Sequence, residues 1–179
     1  MKKLIIAFMS ITLFIGCTDL SNTPIKKTED FLSRYQTLDN AVLTDLDEVI
    51  LQDTTMNEEQ KKDYKDIMKK HYQNLTYEVK DEVINGDDAL VTVEITVTDF
   101  KKIMDETSAY MNQNIEEFYD DSGNYSVVIF TDYRLSKLKD AKEEVKYTID
   151  FLLTKVNNQW QINDLTQDAY DKINGLYDY

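Results

Sequence analysis

The sequence has few of the residues that cross-link a chain, bind metals or force turns. Its 179 residues include one cysteine, one proline, one histidine and four glycines. A lone cysteine excludes a disulfide within the chain, and one cysteine with one histidine is a poor ligand set for zinc. The scattered glycines exclude a glycine-rich phosphate loop. Stability must therefore come from an ordinary apolar core, and the length suffices for one domain.

Positive charge is also scarce. Twenty lysines and arginines stand against 34 aspartates and glutamates, which gives a formal net charge of −14. Nucleic-acid binding needs clustered lysine and arginine to neutralise phosphates, and binding flat on an anionic membrane needs them as well. The composition therefore argues against a nucleic-acid partner and against a protein body that lies on the lipid surface.

Long apolar runs are absent except at the N-terminus. There, Lys2 and Lys3 precede an uncharged stretch at residues 4–16. A membrane-spanning helix needs about 20 apolar residues, whereas a signal peptide needs about 7–15 behind a positive start. The pattern favours a signal peptide over residues 1–16. An ordinary secretory signal without lipid and a retained membrane anchor are the alternatives.

The cysteine directly follows this stretch. The sequence Phe14-Ile15-Gly16-Cys17 resembles the lipobox of bacterial lipoproteins. The resemblance implies that Cys17 carries a diacylglyceryl lipid, of the palmitate type, and becomes the first residue of the mature protein. Two acyl chains anchor a protein stably, which one chain does not. We therefore expect a lipid-anchored protein at the extracytoplasmic face of the cell membrane, with residues 17–23 as a polar tether. Loss of Lys2 and Lys3 lowers its net charge by two, to −16.

Helical periodicity dominates the first part of the mature chain. Thr23-Pro24 has the form of a helix start, with threonine as the cap and proline in the first turn. The next helix carries apolar residues at spacings of three, four and seven, and the segment Thr55–Glu58 has the form of a capping box for a third. The apolar positions of these two helices are Val42, Leu43, Leu46, Val49 and Ile50, then Tyr64, Ile67, Met68, Tyr72 and Leu75.

The period then changes to two, which predicts strands. Apolar residues alternate with polar ones from Leu75 to Val79, and again from Ala89 to Val97. Between them lies Asn85-Gly86, a strong hairpin-turn signal. Alternation returns from Val145 to Leu153, and a turn at Asn157-Asn158 leads into a short strand with Trp160. The pattern predicts two antiparallel hairpins with one face exposed to water.

Between the hairpins we expect a helical insertion. Asp99 caps a fourth helix whose apolar positions run from Phe100 to Phe118, and a loop follows at residues 120–124. The residue pattern over 125–142 predicts an irregular stretch and then a short helix with Leu135 and Leu138. Thr166 caps a short C-terminal helix.

The fold class that follows is α+β, with N-terminal helices packed on a bent antiparallel sheet of about four strands in one domain, residues 24–179. The two hairpins and Trp160 after a polar turn resemble the nuclear-transport-factor-2-like cone, a cystatin-like fold. The order also resembles that of uncharacterised lipoproteins of Gram-positive bacteria. The resemblance implies a cone-like sheet with a pocket between sheet and helix.

Tyrosine is abundant, with 12 residues, and suggests where such a pocket would lie. The candidate pocket residues on inward faces are Tyr35, Tyr64, Met68, Tyr77 and Tyr147. Ordinary half-buried packing, with each hydroxyl reaching water, is the main alternative.

No constellation of catalytic residues is visible. His71 is interpreted as a cation near the C-terminus of the third helix, where the helix dipole favours it. Asp120, Asp121 and Asn124 do not have EF-hand order, so a solvated acidic turn is preferred to a calcium site. We predict no catalytic residue, no metal, no cofactor and no enzymatic activity.

The favoured function is therefore a membrane-anchored domain that binds an extracellular protein or a small ligand. Two alternatives stay open. One is a cone-fold enzyme acting on a small envelope metabolite, which would need a buried carboxylate beside a tyrosine such as Tyr64 or Tyr77. The other is a purely structural interaction domain.

Overall fold

The computed structural model describes residues 21–178, so the signal segment and Cys17 lie outside the described residues. Within 21–178 there are six α helices and one four-stranded antiparallel sheet, which confirms the α+β class. The helices are α1 (Pro24–Thr37), α2 (Asn40–Gln52), α3 (Glu58–Asn74), α4 (Phe100–Gln113), α5 (Val127–Asp140) and α6 (Gln167–Ile173). The strands are β1 (Thr76–Asn85), β2 (Asp88–Thr98), β3 (Glu144–Val156) and β4 (Gln159–Ile162). No helix of the described part has the length and apolarity to cross a membrane.

The first helix begins as predicted. The Thr23 side chain accepts a hydrogen bond from the backbone N–H of Lys26 at 3.1 Å, and Pro24 occupies the first turn, where its missing N–H costs nothing. The helix ends at Leu38, whose positive φ of 55° stops the helical path.

The capping box of α3 lies two residues later than predicted. The Asn57 side chain accepts from the N–H of Gln60 at 3.0 Å, and the Gln60 side chain accepts from the N–H of Asn57 at 3.0 Å. The predicted box at Thr55–Glu58 is wrong because Thr55 belongs to the preceding turn. There Thr55 donates both its N–H and its hydroxyl to Asp53, at 2.7 and 2.6 Å.

The sheet has the strand order β1-β2-β3-β4, and both predicted hairpin turns are confirmed. Asn85 pairs with Asp88, which leaves Gly86 and Asp87 as a two-residue turn. Gly86 has a φ of +66°, and the second turn places Asn157 and Asn158 at φ 50° and 62°. Positive φ at these positions matches the twist that two-residue hairpins need.

One face of the sheet forms the core, as the alternation predicted. Every second residue of β2 and β3 is buried, namely Ala89, Val91, Val93, Ile95, Val97, Tyr147, Ile149, Phe151 and Leu153. This inner face packs with apolar residues of α1, α2 and α3 such as Leu32, Leu46 and Met68. Each large side chain buried this way contributes about 1.5–3 kcal/mol.

The segment between the hairpins differs most from the sequence prediction. Helix α4 ends at Gln113, and a separate 3₁₀ helix spans Ile115–Phe118. The stretch predicted as irregular is most of α5, a helix of 14 residues whose start is capped by Ser126. Its first turn is Val127-Val128-Ile129, a β-branched run with low helix propensity. Tertiary packing overrides that propensity, because Phe130 contacts Phe118 with ring centroids 5.2 Å apart.

Candidate functional site

The five residues predicted to form a pocket are placed in the structure by packing against other aromatic and apolar groups. The ring of Tyr35 lies 5.1 Å from that of Tyr72, and the ring of Tyr147 lies 5.7 Å from that of Tyr177. Met68 is buried, Tyr64 is half-buried against the core, and Tyr77 is half-buried on the edge strand β1. Burial raises the pKa of Tyr35 far above its usual value, so its hydroxyl stays protonated.

A cavity of about 630 Å³ opens elsewhere, between α3 and α5. None of the five tyrosine and methionine candidates is among the described residues that line it. Its volume lies within the range of about 300–1,000 Å³ that small-molecule sites occupy.

The cavity has an apolar floor and a charged rim. Ile67 of α3, Leu135 and Leu138 of α5, and Phe100 at the start of α4 are buried residues of its lining. The charged lining residues are Glu59, Asp63, Asp66, Lys70, Asp132 and Lys139. Such a site can bury an apolar body while polar groups at the rim orient it.

His71 also lines the cavity, and its environment overturns the sequence interpretation. Its side chain is 2% exposed and its ring stacks on Phe100, with centroids 4.6 Å apart. Burial lowers the pKa of His71 to about 4. The imidazole is therefore neutral at pH 7, and the prediction of a cation stabilised by the helix dipole is wrong.

The tautomer of His71 follows from its hydrogen bond. Nε2 lies 2.8 Å from the carbonyl oxygen of Ile173, and a carbonyl only accepts, so Nε2 carries the hydrogen. Nδ1 is then an acceptor, and it has no hydrogen-bond partner within residues 21–178. A buried acceptor left unpaired costs about 1–3 kcal/mol. A signal for this burial was present in the sequence, since His71 follows Ile67 by one helical turn on the apolar face of α3.

Acidic side chains of residues 21–178 bond to the local backbone at a helix start and in a turn. Among residues 21–178 the one buried carboxylate is Asp99, whose side chain accepts from the N–H of Lys102 at 3.0 Å and caps α4. The described residues hold no group of three or more His, Cys, Asp or Glu side chains placed to bind a metal. Asp120 accepts the N–H groups of Ser122 and Asn124 at 2.9 and 3.0 Å, which is the geometry of an acidic turn.

The chain matches no protein-family model and no curated protein. Among solved structures it is similar to the crystal structure of YcdA from Bacillus subtilis, a protein provisionally described as a lipoprotein. The similarity has 15% identity and a TM-score of 0.44, and it covers 85% of this chain and 47% of YcdA. The chain thus spans about half the length of YcdA, and a likeness this distant carries no argument about function. It gives no support to the nuclear-transport-factor-2-like resemblance, which stays a prediction.

Proposed function

We propose that this protein is a lipid-anchored bacterial lipoprotein at the extracytoplasmic face of the membrane, and that its domain binds a small ligand between α3 and α5. The observation that carries the ligand-binding part is the cavity, with its apolar floor and its charged rim. The anchoring part is supported by the sequence of residues 1–17, above all by the position of Cys17.

Binding accounts for the cavity better than catalysis does. A general base works best with a pKa near the working pH, and the pKa of His71 is about 4. The hydroxyl of Ser136, which also lines the cavity, donates to the carbonyl oxygen of Tyr133 at 2.6 Å. We therefore propose that the protein is not an enzyme.

A protein partner is the second candidate, and one observation favours it. Apolar side chains are exposed together around the end of the α4–α5 pair, namely Ile115, Tyr119, Tyr125, Val127, Val128 and Ile129. Clustered exposed apolar groups are typical of interaction surfaces. Tyr119 and Tyr125 are joined there by an isolated antiparallel bridge.

Anchoring is tested by the variant Cys17→Ser in the producing bacterium. Without the thiol no lipid can be attached, so we expect the protein to leave the membrane fraction. Fractionation and the mass of the N-terminus measure this. A variant that stays in the membrane with residues 1–16 uncleaved would show instead that the segment is a retained anchor.

Ligand binding is tested through His71, which gives a single set of imidazole NMR signals because it is the only histidine. The probe is 1-hexanol, added to the full chain in lipid nanodiscs with ¹³C-labelled histidine. We expect a saturable shift of the His71 signals in the wild type.

Two matched variants decide whether the cavity is responsible. Ser136→Trp fills the cavity from an exposed helical position and should abolish the shift. Thr44→Trp is the control, since Thr44 is likewise exposed on a helix with its hydroxyl bonded to a backbone carbonyl, but lies on α2. Equal shifts in both variants, or a shift that never saturates, would contradict binding in the cavity.

A further inference from the structure

The charged rim of the cavity repeats the same pattern on both helical walls. On α3, Asp63 precedes Lys70 by seven residues, and on α5, Asp132 precedes Lys139 by seven. Seven residues are two helical turns, which separates each acid from its lysine by about 10 Å along the helix axis.

The two walls run in the same direction, which places like charges toward the same end of the cavity. At one end Gln60, in the first turn of α3, donates to Oδ1 of Asp132 at 2.7 Å. At the other end His71 stacks on Phe100, and both line the cavity together with Ala141, the residue that ends α5. The cavity therefore has an acidic end and a basic end.

None of the four charges has an ionic partner within residues 21–178. Asp63, Lys70 and Lys139 form no ion pair there, whereas Asp66, between the two ends, lies 3.8 Å from Lys69. Asp132 accepts only the neutral donor of Gln60. A ligand with separated opposite charges would complete both ends at once, at rim positions that remain accessible to solvent.

Between the ends the cavity offers apolar surface. Ile67 of α3 and Leu135 of α5 line this space from the two helices. His71 lines it as well, with its Nδ1 enclosed by the protein, so its ring signals report on what enters the cavity.

We infer that the ligand of this cavity is a short apolar peptide with free termini, about three residues long. The inference rests on the proposed function and specifies its ligand class. An extended chain spans at most about 3.3–3.6 Å per residue, so three residues match the separation of about 10 Å between the charged ends. The peptide ammonium lies between Asp63 and Asp132, and the carboxylate lies between Lys70 and Lys139.

Other ligand classes meet fewer of these features. A fatty acid has a carboxylate and an apolar body but no cation for the acidic end. A polyamine has cations but neither an anion for Lys139 nor an apolar body for Leu135. A peptide with free termini supplies both charges and the apolar side chains between them.

The test uses Leu-Leu-Leu, acetyl-Leu-Leu-Leu and Leu-Leu-Leu-amide as probes of the full chain in nanodiscs, read from the His71 signals with empty nanodiscs as the blank. We expect the free tripeptide to bind, and each blocked peptide to bind about tenfold more weakly because it loses one charged contact. The double variant Lys70→Gln/Lys139→Gln should lose the preference for the free carboxylate over the amide.

The control variant is Lys142→Gln, which removes a lysine just beyond α5 that does not line this cavity, and it should keep the preference. If hexanol binds but the three peptides bind equally or not at all, the peptide inference is overturned and the proposed function stands. If neither hexanol nor any peptide shifts the signals, both are overturned. A preference for the carboxylate that survives the double lysine variant also overturns the inference.

Discussion

Two parts of the molecule meet at the cavity, and they are built differently. The sheet core consists of the inner face of β1–β3 with α1–α3, and Val91, Val93, Ile95 and Phe151 in it have no exposed surface. The arm consists of residues 100–140, which include α4, the 3₁₀ helix and α5. Its outer end has its own small cluster, in which Phe118 packs against Phe130 and Tyr133, apart from the main core.

The difference shows where the cavity can change shape. One wall, α3, belongs to the sheet core, and the other, α5, belongs to the arm. The sheet and the helices packed on it hold the first wall. The second wall reaches the main core through Leu135 and Leu138, and Gln60 holds its start by donating to Val128 and Asp132. The predictions below separate the two parts by the size of their effects.

The largest effect is expected in the sheet core, for Val93→Asp. Val93 is completely buried in the central strand β2, so the variant places an unpaired carboxylate in the core. We expect a loss of more than about 4 kcal/mol in the free energy of unfolding, measured by urea denaturation. Thr96→Asp is the control on the opposite face, where Thr96 pairs with Lys146, and it should change stability little. Similar losses in both variants would contradict the assignment of the two sheet faces.

A smaller and local effect is expected in the arm, for Phe130→Ala. The variant removes the ring that contacts Phe118 and lies 4.4 Å from the guanidinium carbon of Arg134. We expect a loss of about 3 kcal/mol, at the low end for a buried phenylalanine, because the cluster is small. Hydrogen exchange should quicken in α5 and the 3₁₀ helix while the amides of β2 stay protected. Equal acceleration in β2 would show that the arm and the sheet core unfold as one unit.

The same contrast explains what the sequence predicts well. The sheet core was predicted because β2 and β3 each have one buried face, which gives a clear period of two, and because Asn85-Gly86 marks the turn. Most of α5 was missed because Val127-Val128-Ile129 lacks a helical apolar stripe and favours strands by propensity. Its helical state depends on Phe118, whose contact with Phe130 cannot be deduced from local pattern.

The cavity between α3 and α5 was not predicted from the sequence, and residue type is the reason. The pocket predicted from tyrosines such as Tyr35 stays a prediction, and in the structure the ring of Tyr35 packs against those of Phe31 and Tyr72. The cavity instead uses Asp63 and Lys70, from the charged side of α3 that periodicity assigns to solvent. The charged side of α3 becomes a wall of the cavity only because α5 packs opposite it. Most of α5 was not predicted from the local sequence pattern.

His71 of the sheet core packs on Phe100 of the arm, and its burial there leads to a prediction about pH. The folded pKa of His71 is about 4, below its ordinary value of 6.5, so the unfolded chain binds a proton at this site more readily. The contribution of the neutral His71 side chain to the stability of the fold is therefore complete above pH 6.5 and is lost as the pH falls from 6.5 to 4. The loss is about 3 kcal/mol in the free energy of unfolding.

Urea denaturation across this pH range measures the effect, and the variant His71→Gln should show a shallower loss. The His71 NMR signals give the direct measurement, since they should not titrate above pH 5. A titration midpoint near 6.5 would contradict a buried, neutral His71, and with it the close packing of α3 on Phe100.

The smallest effect is expected at the start of α3, where Asn57→Ala removes the helix cap. Asn57 accepts from the N–H groups of Glu59 and Gln60, and its own N–H binds the Gln60 side chain that also reaches Asp132 in the arm. We expect a loss of about 1 kcal/mol, typical of an asparagine cap, in the free energy of unfolding measured by urea denaturation.

Thr55→Ala is the matched control and should cost less than about 0.5 kcal/mol, since Thr55 is exposed and bonds only Asp53. Because the box orients Gln60, Asn57→Ala should also quicken hydrogen exchange at the start of α5, and Thr55→Ala should not. The opposite ranking of the two variants would restore the box at Thr55–Glu58 and remove this link between the sheet core and the arm.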